Sequence, residues 1–307
     1  MKATILPDKL SFGLLFPLEG YQGSIPKMKN QVSLAQLAEQ LGFTALWARD
    51  VPLHHPSFGD AGQLYDPWVY LTYIATKTKT ISLGTASVIL PLRHPIHTAK
   101  SASSIDVLSN GRLLLGVASG DRAIEYTAFA KSHQNRASLF RDSFQYIKTL
   151  LEKDFPKIEN NFFGTMNSET DLLPKPLNRR HIPMYVTGHS GQQLDWIAQN
   201  ADGWMYYPRN PLIVENNINN WRNLLEKHER LNKPYIQSLY IDLIENPNAK
   251  PVPIHLGFRV GSNYLIEILK MLESLGVNHI IFVLKYATRP VNDVIEELGQ
   301  EVLPNFK

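Results

Sequence analysis

Short unbroken runs of apolar residues alternate along the chain with longer stretches in which the apolar positions follow helical spacing. Residues 81–90 and 112–118 are apolar runs, β-branched or leucine-rich and too short for a typical helix, so they predict buried strands. Residues 95–108 between them predict a helix, because proline suits a first helical turn and Asn110-Gly111 supplies a stop. The three segments therefore predict a βαβ unit with parallel strands and a right-handed crossover.

The same alternation continues from one end of the chain to the other. Strands are predicted at residues 11–17, 44–48, 81–90, 112–118, 182–188, 203–207, 236–243 and 280–284. Helices are predicted at residues 27–40, 66–75, 95–108, 138–152, 190–200, 213–230, 263–275 and 290–299. Residues 49–64 form a long loop, and residues 246–253 form a Pro-rich interruption. Residues 156–180, rich in Asn, Gly and Pro, predict an excursion on the outside of the fold or over its mouth.

Eight strands that are each followed by a helix predict the fold class, an α/β (β/α)8 TIM barrel. A doubly wound sheet of seven or eight strands is the alternative, but no Gly-x-Gly-x-x-Gly follows the first strand. The length suits one barrel and no linker divides the chain, so a single domain over residues 1–307 is expected. Since barrel chemistry occurs at the C-terminal ends of the strands, functional residues are expected in the loops that follow them.

The composition is that of an ordinary soluble globular protein, with 44% hydrophobic and 19% charged residues. The net charge of +3 is spread along the chain without a basic stripe or arm, so neither nucleic acid nor a membrane is an expected partner. The absence of cysteine excludes disulfides, thiolate metal ligands and thiol nucleophiles. No apolar run approaches 18 residues and residues 1–8 lack a signal-peptide core, so a cytoplasmic protein is expected.

The clearest candidate for an anion site follows the fifth predicted strand, at Gly188, His189 and Ser190. Ser190 is positioned to cap the next helix, with Gln193 as its capping-box partner. The free N–H groups and the positive end of such a helix suit a phosphate. Ser119-Gly120 ends the neighbouring fourth strand, so the two strand ends together predict one phosphate site. The alternatives are that Ser190 only caps a helix and that Gly120 only forms a turn.

Several segments, in order along the chain, match the motifs of a known family. The specific part is LGTASVILPLRHP at residues 83–95, followed by DVLSNGR at 106–112 and LGVASGD at 115–121. Further matches are PKP at 174–176, IP at 182–183 and ADG at 201–203. These segments resemble the bacterial luciferase-like family of flavin-dependent monooxygenases. The resemblance implies a single TIM barrel that binds reduced FMN, or a deazaflavin in sister groups, at the strand C-terminal ends.

The resemblance also implies which residues contact the cofactor. The end of the third strand would lie against the isoalloxazine ring, and a cis peptide is expected there between Ala86 and Ser87. The end of the fourth strand and the loop after the fifth would lie near the phosphate, and the end of the sixth near the ring. In this order the implied cofactor-binding residues are Ala86, Ser87, Ser119, Gly120, Gly188, His189, Ser190, Trp204 and Met205.

Two positions depart from the luciferases proper. Those enzymes have an arginine where Ser119 stands, and a catalytic histidine just after the second strand, where this chain has Arg49 and Asp50. Light emission from a long-chain aldehyde is therefore not implied. The counter-ion of the phosphate stays open, with Arg122 and Arg209 as the candidates.

The implied chemistry is that of reduced FMN and O2 acting on a small organic substrate in a dry pocket. Candidate catalytic proton donors near the barrel mouth are His54, His55 and Asp50, and His189 is a further candidate. No His-x-x-x-His or His-Glu-x-x-His spacing occurs, so no metal site is predicted. A Gly-x-Ser-x-Gly elbow and a P-loop are also absent.

Three classes of function remain open. The first is a two-component monooxygenase that receives reduced FMN from a separate flavin reductase, since the chain has no dinucleotide fingerprint. Deazaflavin-dependent hydride transfer is its nearest variant. The second class is a flavin-binding barrel without turnover, and the third is an unrelated barrel hydrolase or lyase with a phosphate loop.

A two-fold homodimer is expected through the predicted helix at residues 66–75 and its neighbour, the helix after the third strand. The apolar residues of the first of these helices cover more of its surface than the single stripe that would pack against the barrel. They are Trp68, Leu71, Tyr73 and Ile74. Four aromatic residues are predicted either to line a substrate pocket or to lie in the core or an interface. They are Phe58, Tyr65, Trp68 and Tyr206.

Overall fold

A computed structural model describes residues 5–179, 181–230 and 232–306 of the chain. Eight parallel strands of this described part close into a barrel. They are β1 (Ser11–Leu15), β2 (Ala45–Ala48), β3 (Ser82–Thr85), β4 (Leu113–Ala118), β5 (Met184–Thr187), β6 (Gly203–Tyr206), β7 (Tyr235–Leu243) and β8 (His279–Val283). Each strand pairs with the next one along the chain, and β8 pairs with both β7 and β1. The predicted (β/α)8 barrel is therefore confirmed, because a doubly wound sheet would leave two open edges.

Helices follow the strands and form the outer layer. Those of the described residues are α1 (Gln31–Gln40), α2 (Pro67–Ala75), α3 (Pro95–Leu108), α4 (Ala123–Ala128), α5 (Arg136–Glu152), α6 (Leu194–Asn200), α7 (Pro211–Lys227), α8 (Ser262–Ser274) and α9 (Val291–Glu297). Helix α3 has the predicted bounds, and its first residue is the expected proline. Asp66 caps α2, since its carboxylate accepts from Trp68 N and Val69 N at 2.9 and 3.2 Å. Helix α4 was not predicted.

The helix after β5 begins later than predicted. Gln193 is the residue before α6, its side chain makes no capping hydrogen bond, and Ser190 lies in the left-handed region at φ 48°. The predicted capping box of Ser190 and Gln193 is therefore wrong. The physical reason is that Gly188 and Gly191 also have positive φ, so the loop turns on itself before the helix starts.

The third predicted strand is broken where the resemblance implied a special geometry. Strand β3 ends at Thr85, and the peptide bond between Ala86 and Ser87 is cis, as expected. The chain then pairs with β4 again, with Val88 opposite Val117 and Ile89 opposite Ala118. This change of direction turns Ala86 and Ser87 toward the barrel axis, where both line the central cleft.

The core has two layers, because barrel strands are buried on both faces. Large side chains fill the barrel interior, among them Leu15, Trp47, Leu114, Tyr185, Met205, Ile236 and Ile281. A larger apolar layer lies between strands and helices. At the base of the interior, Trp47 Nε1 donates to His279 Nε2 at 3.1 Å, and Ser11 Oγ lies 2.7 Å from His279 Nδ1. Gly84 makes room for this indole, since a Cβ there would lie 2.2 Å from Trp47 Cε3.

Two segments outside the barrel shape its surroundings. The antiparallel strands Val252–Ile254 and Gly257–Val260 form a hairpin, and Gly257–Val260 pairs in parallel with β7. Sequence reasoning treated residues 246–253 only as an interruption and missed this hairpin. The predicted excursion packs on the outside, where Lys175 Nζ donates to Leu150 O of α5 at 2.9 Å and Leu177 N donates to Asp106 of α3. Arg180, its last predicted residue, lies outside the described residues.

The apolar character of α2 is mostly explained by the barrel itself. Trp68, Leu71 and Ile74 are buried against the core, whereas Tyr73 is 50% exposed and Val69 is 70% exposed. The exposed apolar surface of α2 is thus smaller than the sequence suggested. None of the helices in the described ranges is long and apolar enough to cross a membrane.

Candidate active site

A cleft of about 840 Å³ opens at the C-terminal ends of the barrel strands. Its floor consists of apolar side chains from the barrel interior, namely Leu15, Met205, Ile236, Ile281 and Val283. Its rim consists of the loops after the strands, as expected for this fold. The volume lies within the range of about 300–1,000 Å³ that is usual for small-molecule and cofactor sites.

One end of the cleft joins the ends of β4 and β5. The backbone N–H of Ser119 donates to Ser190 Oγ at 3.1 Å, and Ser190 Oγ donates to Thr187 O at 2.9 Å. Tyr126 holds the same turn from behind, since its hydroxyl donates to Ser119 O. Sequence reasoning placed Ser119 and Ser190 at one site, and the structure brings them into direct contact. The hydroxyl of Ser190 is used within the loop, so it does not cap a helix.

The loop after β5 lines the same end of the cleft. In the described part of the chain, the N–H groups of His189, Ser190 and Gly191 reach no protein acceptor. Turns of this kind form concavities that bind anions. Gly191 brings the loop close to α5, since a Cβ on it would lie 2.6 Å from Ala137 Cβ. Arg136, the first residue of α5, lines this end of the cleft beside these donors.

The centre of the cleft lies against the cis peptide. Ala86 N donates to Ala48 O at 2.8 Å, which anchors this cis peptide (the cis step) to the end of β2. The Ser87 hydroxyl is hydrogen-bonded to the Thr187 hydroxyl, and Thr187 Oγ1 donates to Met205 Sδ at 3.6 Å. These contacts hold two small side chains, Ala86 and Ser87, over an apolar floor.

The two predicted residues of β6 differ in position because successive side chains on a strand point to opposite faces. Met205 lines the cleft, whereas Trp204 is buried outside the barrel and does not line it. Trp204 Nε1 donates to Gly188 O at 2.7 Å, and the His189 ring packs edge-on against the indole at 5.7 Å. Trp204 therefore supports the loop after β5 from behind.

The three candidate proton donors do not come together. Asp50 lines the cleft and is buried, but Arg93 binds both of its oxygens at 2.8–2.9 Å and Ile89 N donates to it at 3.1 Å. His54 is exposed and contacts Ser24 Oγ at 2.9 Å. His55 Nδ1 accepts from the backbone N–H of Ser57 at 3.3 Å. Neither histidine is among the residues that line the cleft.

The four aromatic residues considered as pocket candidates also lie in different places. Phe58 and Tyr206 line the cleft. Tyr65 is 52% exposed on the surface, and Trp68 lines a separate, smaller cavity beside α3. The aromatic wall of the cleft is instead completed by Tyr207, Tyr240 and Tyr286.

Sequence reasoning missed a cluster of charged residues on the side of the cleft opposite Ser190. Arg49 Nη1 contacts Asp60 Oδ2 at 3.0 Å, and Lys285 Nζ lies 3.7 Å from the same oxygen. Lys285 directly follows the eighth predicted strand, and Arg49 follows the second, so position at a strand end was a signal available in the sequence. Asp60 could not be identified in this way, because it lies in the middle of a long loop and not at the end of a strand.

The cluster keeps Asp60 ionised. Burial by itself would raise the pKa of this carboxyl, but Arg49 and the hydrogen bond from Tyr21 outweigh burial and lower the pKa below its usual value. Burial and the nearby Asp60 raise the pKa of the Tyr21 phenol. In the described part of the chain, no group of three His, Cys, Asp or Glu side chains could hold a metal ion.

Comparison with protein families identifies residues 10–241 as a match to the model described as "Luciferase-like monooxygenase". Among curated relatives, the alkanal monooxygenase alpha chain of Photorhabdus luminescens is 26% identical over 174 residues, which is 57% of this chain and 46% of the relative. The oxygenase component of flavin-dependent trigonelline monooxygenase from Acinetobacter baylyi is 28% identical over 213 residues, 68% of this chain and 57% of the relative. The chain thus spans about half the length of the curated relatives it matches.

Solved structures with the same fold include proteins that carry different cofactors. An F420-dependent secondary alcohol dehydrogenase, in complex with an F420-acetone adduct, has a TM-score of 0.80 at 17% identity and covers 97% of this chain and 99% of its own. The oxygenating constituent of 3,6-diketocamphane monooxygenase from the CAM plasmid of Pseudomonas putida, in complex with FMN, has a TM-score of 0.77 at 14% identity, with coverage of 97% and 99%. At these identities the likeness concerns the fold.

Proposed function

Because the chain belongs to the luciferase-like monooxygenase family, we propose that it is the oxygenase of a two-component system that uses reduced FMN and O2 to oxidise a small organic substrate. One observation carries this proposal. The contact between Ser119 and Ser190 lies in the same cleft as the small side chains of Ala86 and Ser87, so the proposed anion site and the proposed seat for the ring are adjacent.

The residues present fit FMN. The phosphate would bind the free backbone N–H groups of His189, Ser190 and Gly191, with Arg136 as its counter-ion. We prefer Arg136 to the two candidates considered from the sequence, because Arg122 already contacts Phe58 and Asp60 O and Arg209 does not line the cleft. The ring would lie against Ala86, Ser87 and Met205.

When bound, reduced FMN would supply the electrons that activate O2. The chain's own contribution is to orient the ring, to keep water out and to hold the substrate beside it. The apolar floor of Leu15, Ile236 and Ile281 excludes water from the buried face of the ring. Asp50 contributes by position, since its pair with Arg93 and its bond to Ile89 N fix the chain after the cis step.

The chain has no dinucleotide fingerprint, so reduced flavin would come from a separate reductase that uses cellular nicotinamide, and both proteins would act in the cytoplasm.

We also propose a homodimer formed through the exposed side of α2, where Val69 and Tyr73 leave apolar surface in water. Light scattering at micromolar concentration tests the dimer, and a monomer would contradict it.

The test of function is anaerobic titration with reduced FMN, riboflavin and F420, followed by addition of O2 and mass spectrometry of a panel of small organic compounds. We expect FMN to bind more tightly than riboflavin, and at least one compound to gain an oxygen atom only in the presence of the protein. Preference for F420 would instead indicate deazaflavin-dependent hydride transfer. FMN binding without any product would indicate a flavin-binding barrel, and no flavin binding at all would overturn the proposal.

A further inference from the structure

Three cationic side chains meet on the side of the cleft opposite the proposed phosphate end. Arg49 and Lys285 both approach Asp60, at 3.0 and 3.7 Å. Arg122 stacks over Phe58 with its guanidinium carbon 4.5 Å from the ring centre, and its Nη2 lies 3.3 Å from Asp60 O. All three side chains line the cleft and are largely buried, so solvent screens their charges only partly.

The anions present do not balance these cations. Asp60 already accepts from Arg49, from Tyr21 OH at 2.6 Å and from Gly62 N at 2.8 Å, and its single negative charge is shared between Arg49 and Lys285. Glu125 lies 3.6 Å from Arg122, but burial raises the pKa of its carboxyl and weakens this pair. Asp50 also lines the cleft but is paired with Arg93, and Asp121 is exposed, where water screens it.

Arg49 also has donors that remain unused. Its Nη1 contacts Asp60, whereas Nε and Nη2 are buried and reach no acceptor among the described residues. A buried donor without a partner costs about 1–3 kcal/mol, and more for a charged group, so such an arrangement in a cleft indicates a missing acceptor.

The position of Arg49 relates this cluster to the proposed ring seat. Arg49 directly follows Ala48, whose carbonyl accepts from Ala86 N at 2.8 Å, so Arg49 lies one residue from the anchor of the cis step. Aromatic rings line the same cleft. Tyr240 packs against Tyr286 at 5.7 Å and against His255 of the hairpin at 5.8 Å, and all three line the cleft.

We propose that Arg49 and Arg122 form the anion-binding subsite for the substrate, and that the substrate is a small aromatic carboxylic acid. Its carboxylate binds the two guanidinium groups, with Lys285 adding charge, and its ring lies between the aromatic wall and the proposed flavin seat. Arg suits this role because its planar fork matches a carboxylate. This proposal deepens the proposed function and rests on it for the position of the flavin.

The test compares acids with neutral isosteres, so that shape is held constant while charge changes. Benzoate against benzamide and phenylacetate against phenylacetamide are titrated into the FMN-loaded protein, and binding is followed by calorimetry at low salt. Bound FMN occupies the loop at Ser190, so that loop cannot account for acid binding. We expect at least one acid to bind about tenfold more tightly than its amide, because the acid adds a charge-assisted contact.

Two variants and one control locate the preference. Arg49→Leu and Arg122→Leu should each bring the acid-to-amide ratio close to one while FMN affinity is retained. Arg209→Leu removes the same charge from an exposed position over Tyr206, outside the lining of the cleft, and should leave the ratio unchanged. The use of two variants protects the test if the loss of one arginine destabilises the protein.

Each outcome has a defined meaning. Equal binding of acids and amides, or an acid preference that survives in both Arg49→Leu and Arg122→Leu, would overturn the subsite. The same titrations without FMN separate this result from the proposed function. If FMN does not bind but the acid preference persists and depends on Arg49, the flavin assignment fails and the subsite stands.

Discussion

The backbone N–H of Ser119 donates to the hydroxyl of Ser190 at 3.1 Å, and this bond joins the end of β4 to the loop after β5. The two residues are 71 positions apart in the sequence. The same hydroxyl forms a second hydrogen bond, which it donates to Thr187 O. The hydroxyl thus shapes the loop that lines this end of the cleft, and the affinity for the proposed phosphate should depend on it indirectly.

Replacing Ser190 with Ala should weaken FMN binding by about 0.5–1.5 kcal/mol, the usual contribution of one neutral hydrogen bond. Ser190→Gly is the matched variant, because it also lacks the hydroxyl but adopts the φ of 48° without strain. The Gly variant should be more stable to heat than the Ala variant by about 1 kcal/mol. Flavin fluorescence and thermal unfolding measure the two effects, and unchanged FMN affinity in both variants would contradict this role.

Arg136→Leu should show that Arg136 contributes to binding the phosphate of FMN and not its ring. The substitution removes one partly exposed cation beside the loop, so FMN affinity should fall about tenfold, equivalent to about 1.4 kcal/mol. Riboflavin, which has no phosphate, should bind the variant and the unchanged protein equally well. Arg122→Leu serves as the control and should leave the ratio of FMN to riboflavin affinity as it is. A loss of affinity for both flavins in Arg136→Leu would assign Arg136 a structural role.

Ser87→Phe should obstruct the ring seat. The side chain lines the cleft at its centre and contacts Thr187, so a phenyl group there would occupy the space proposed for the isoalloxazine. We expect no measurable FMN binding with a far-UV circular dichroism spectrum like that of the unchanged protein. Ser87→Ala is the companion variant and should retain most of the affinity. Tight FMN binding by Ser87→Phe would show that the ring lies elsewhere.

His279 should make the protein less stable in mild acid. Burial lowers its pKa to about 3, far below the ordinary value of 6.5, so the folded state stays neutral where the unfolded state gains a proton. Below pH 6.5 the unfolded state binds more protons, and the free energy of unfolding falls as pH falls toward 3. At pH 5.5 this group alone should remove about 1.4 kcal/mol.

Urea unfolding of His279→Gln at pH 7.5 and 5.5 measures this contribution, because glutamine keeps one donor and one acceptor but does not titrate. The variant should lose less stability between the two pH values than the unchanged protein. The exposed His54 provides the control, and His54→Gln should follow the unchanged protein. Equal pH dependence in all three proteins would contradict a neutral, buried His279.

The sequence alone was sufficient for the architecture, because the signals that define it are local. Apolar runs of strand length, the proline that starts α3 and the stop at Asn110-Gly111 each depend on neighbours within a few residues. The order of strands then follows from the rule that parallel strands joined by right-handed crossovers lie side by side. The family motifs also identified the region of the cis step before its geometry was known.

Only the tertiary structure decided how the individual side chains are used. Ser190 looked like a helix cap in sequence, yet its partner is Ser119, and Trp204 looked like a ring contact, yet it supports Gly188 from behind. Lys285 meets Asp60 across 225 residues. A local pattern cannot specify such pairs, because barrel closure brings strand ends together regardless of their separation along the chain. Strand register also decides whether each side chain points into the barrel or toward the helices. The sequence does not reveal this direction, because barrel strands are buried on both faces and are therefore apolar at every position.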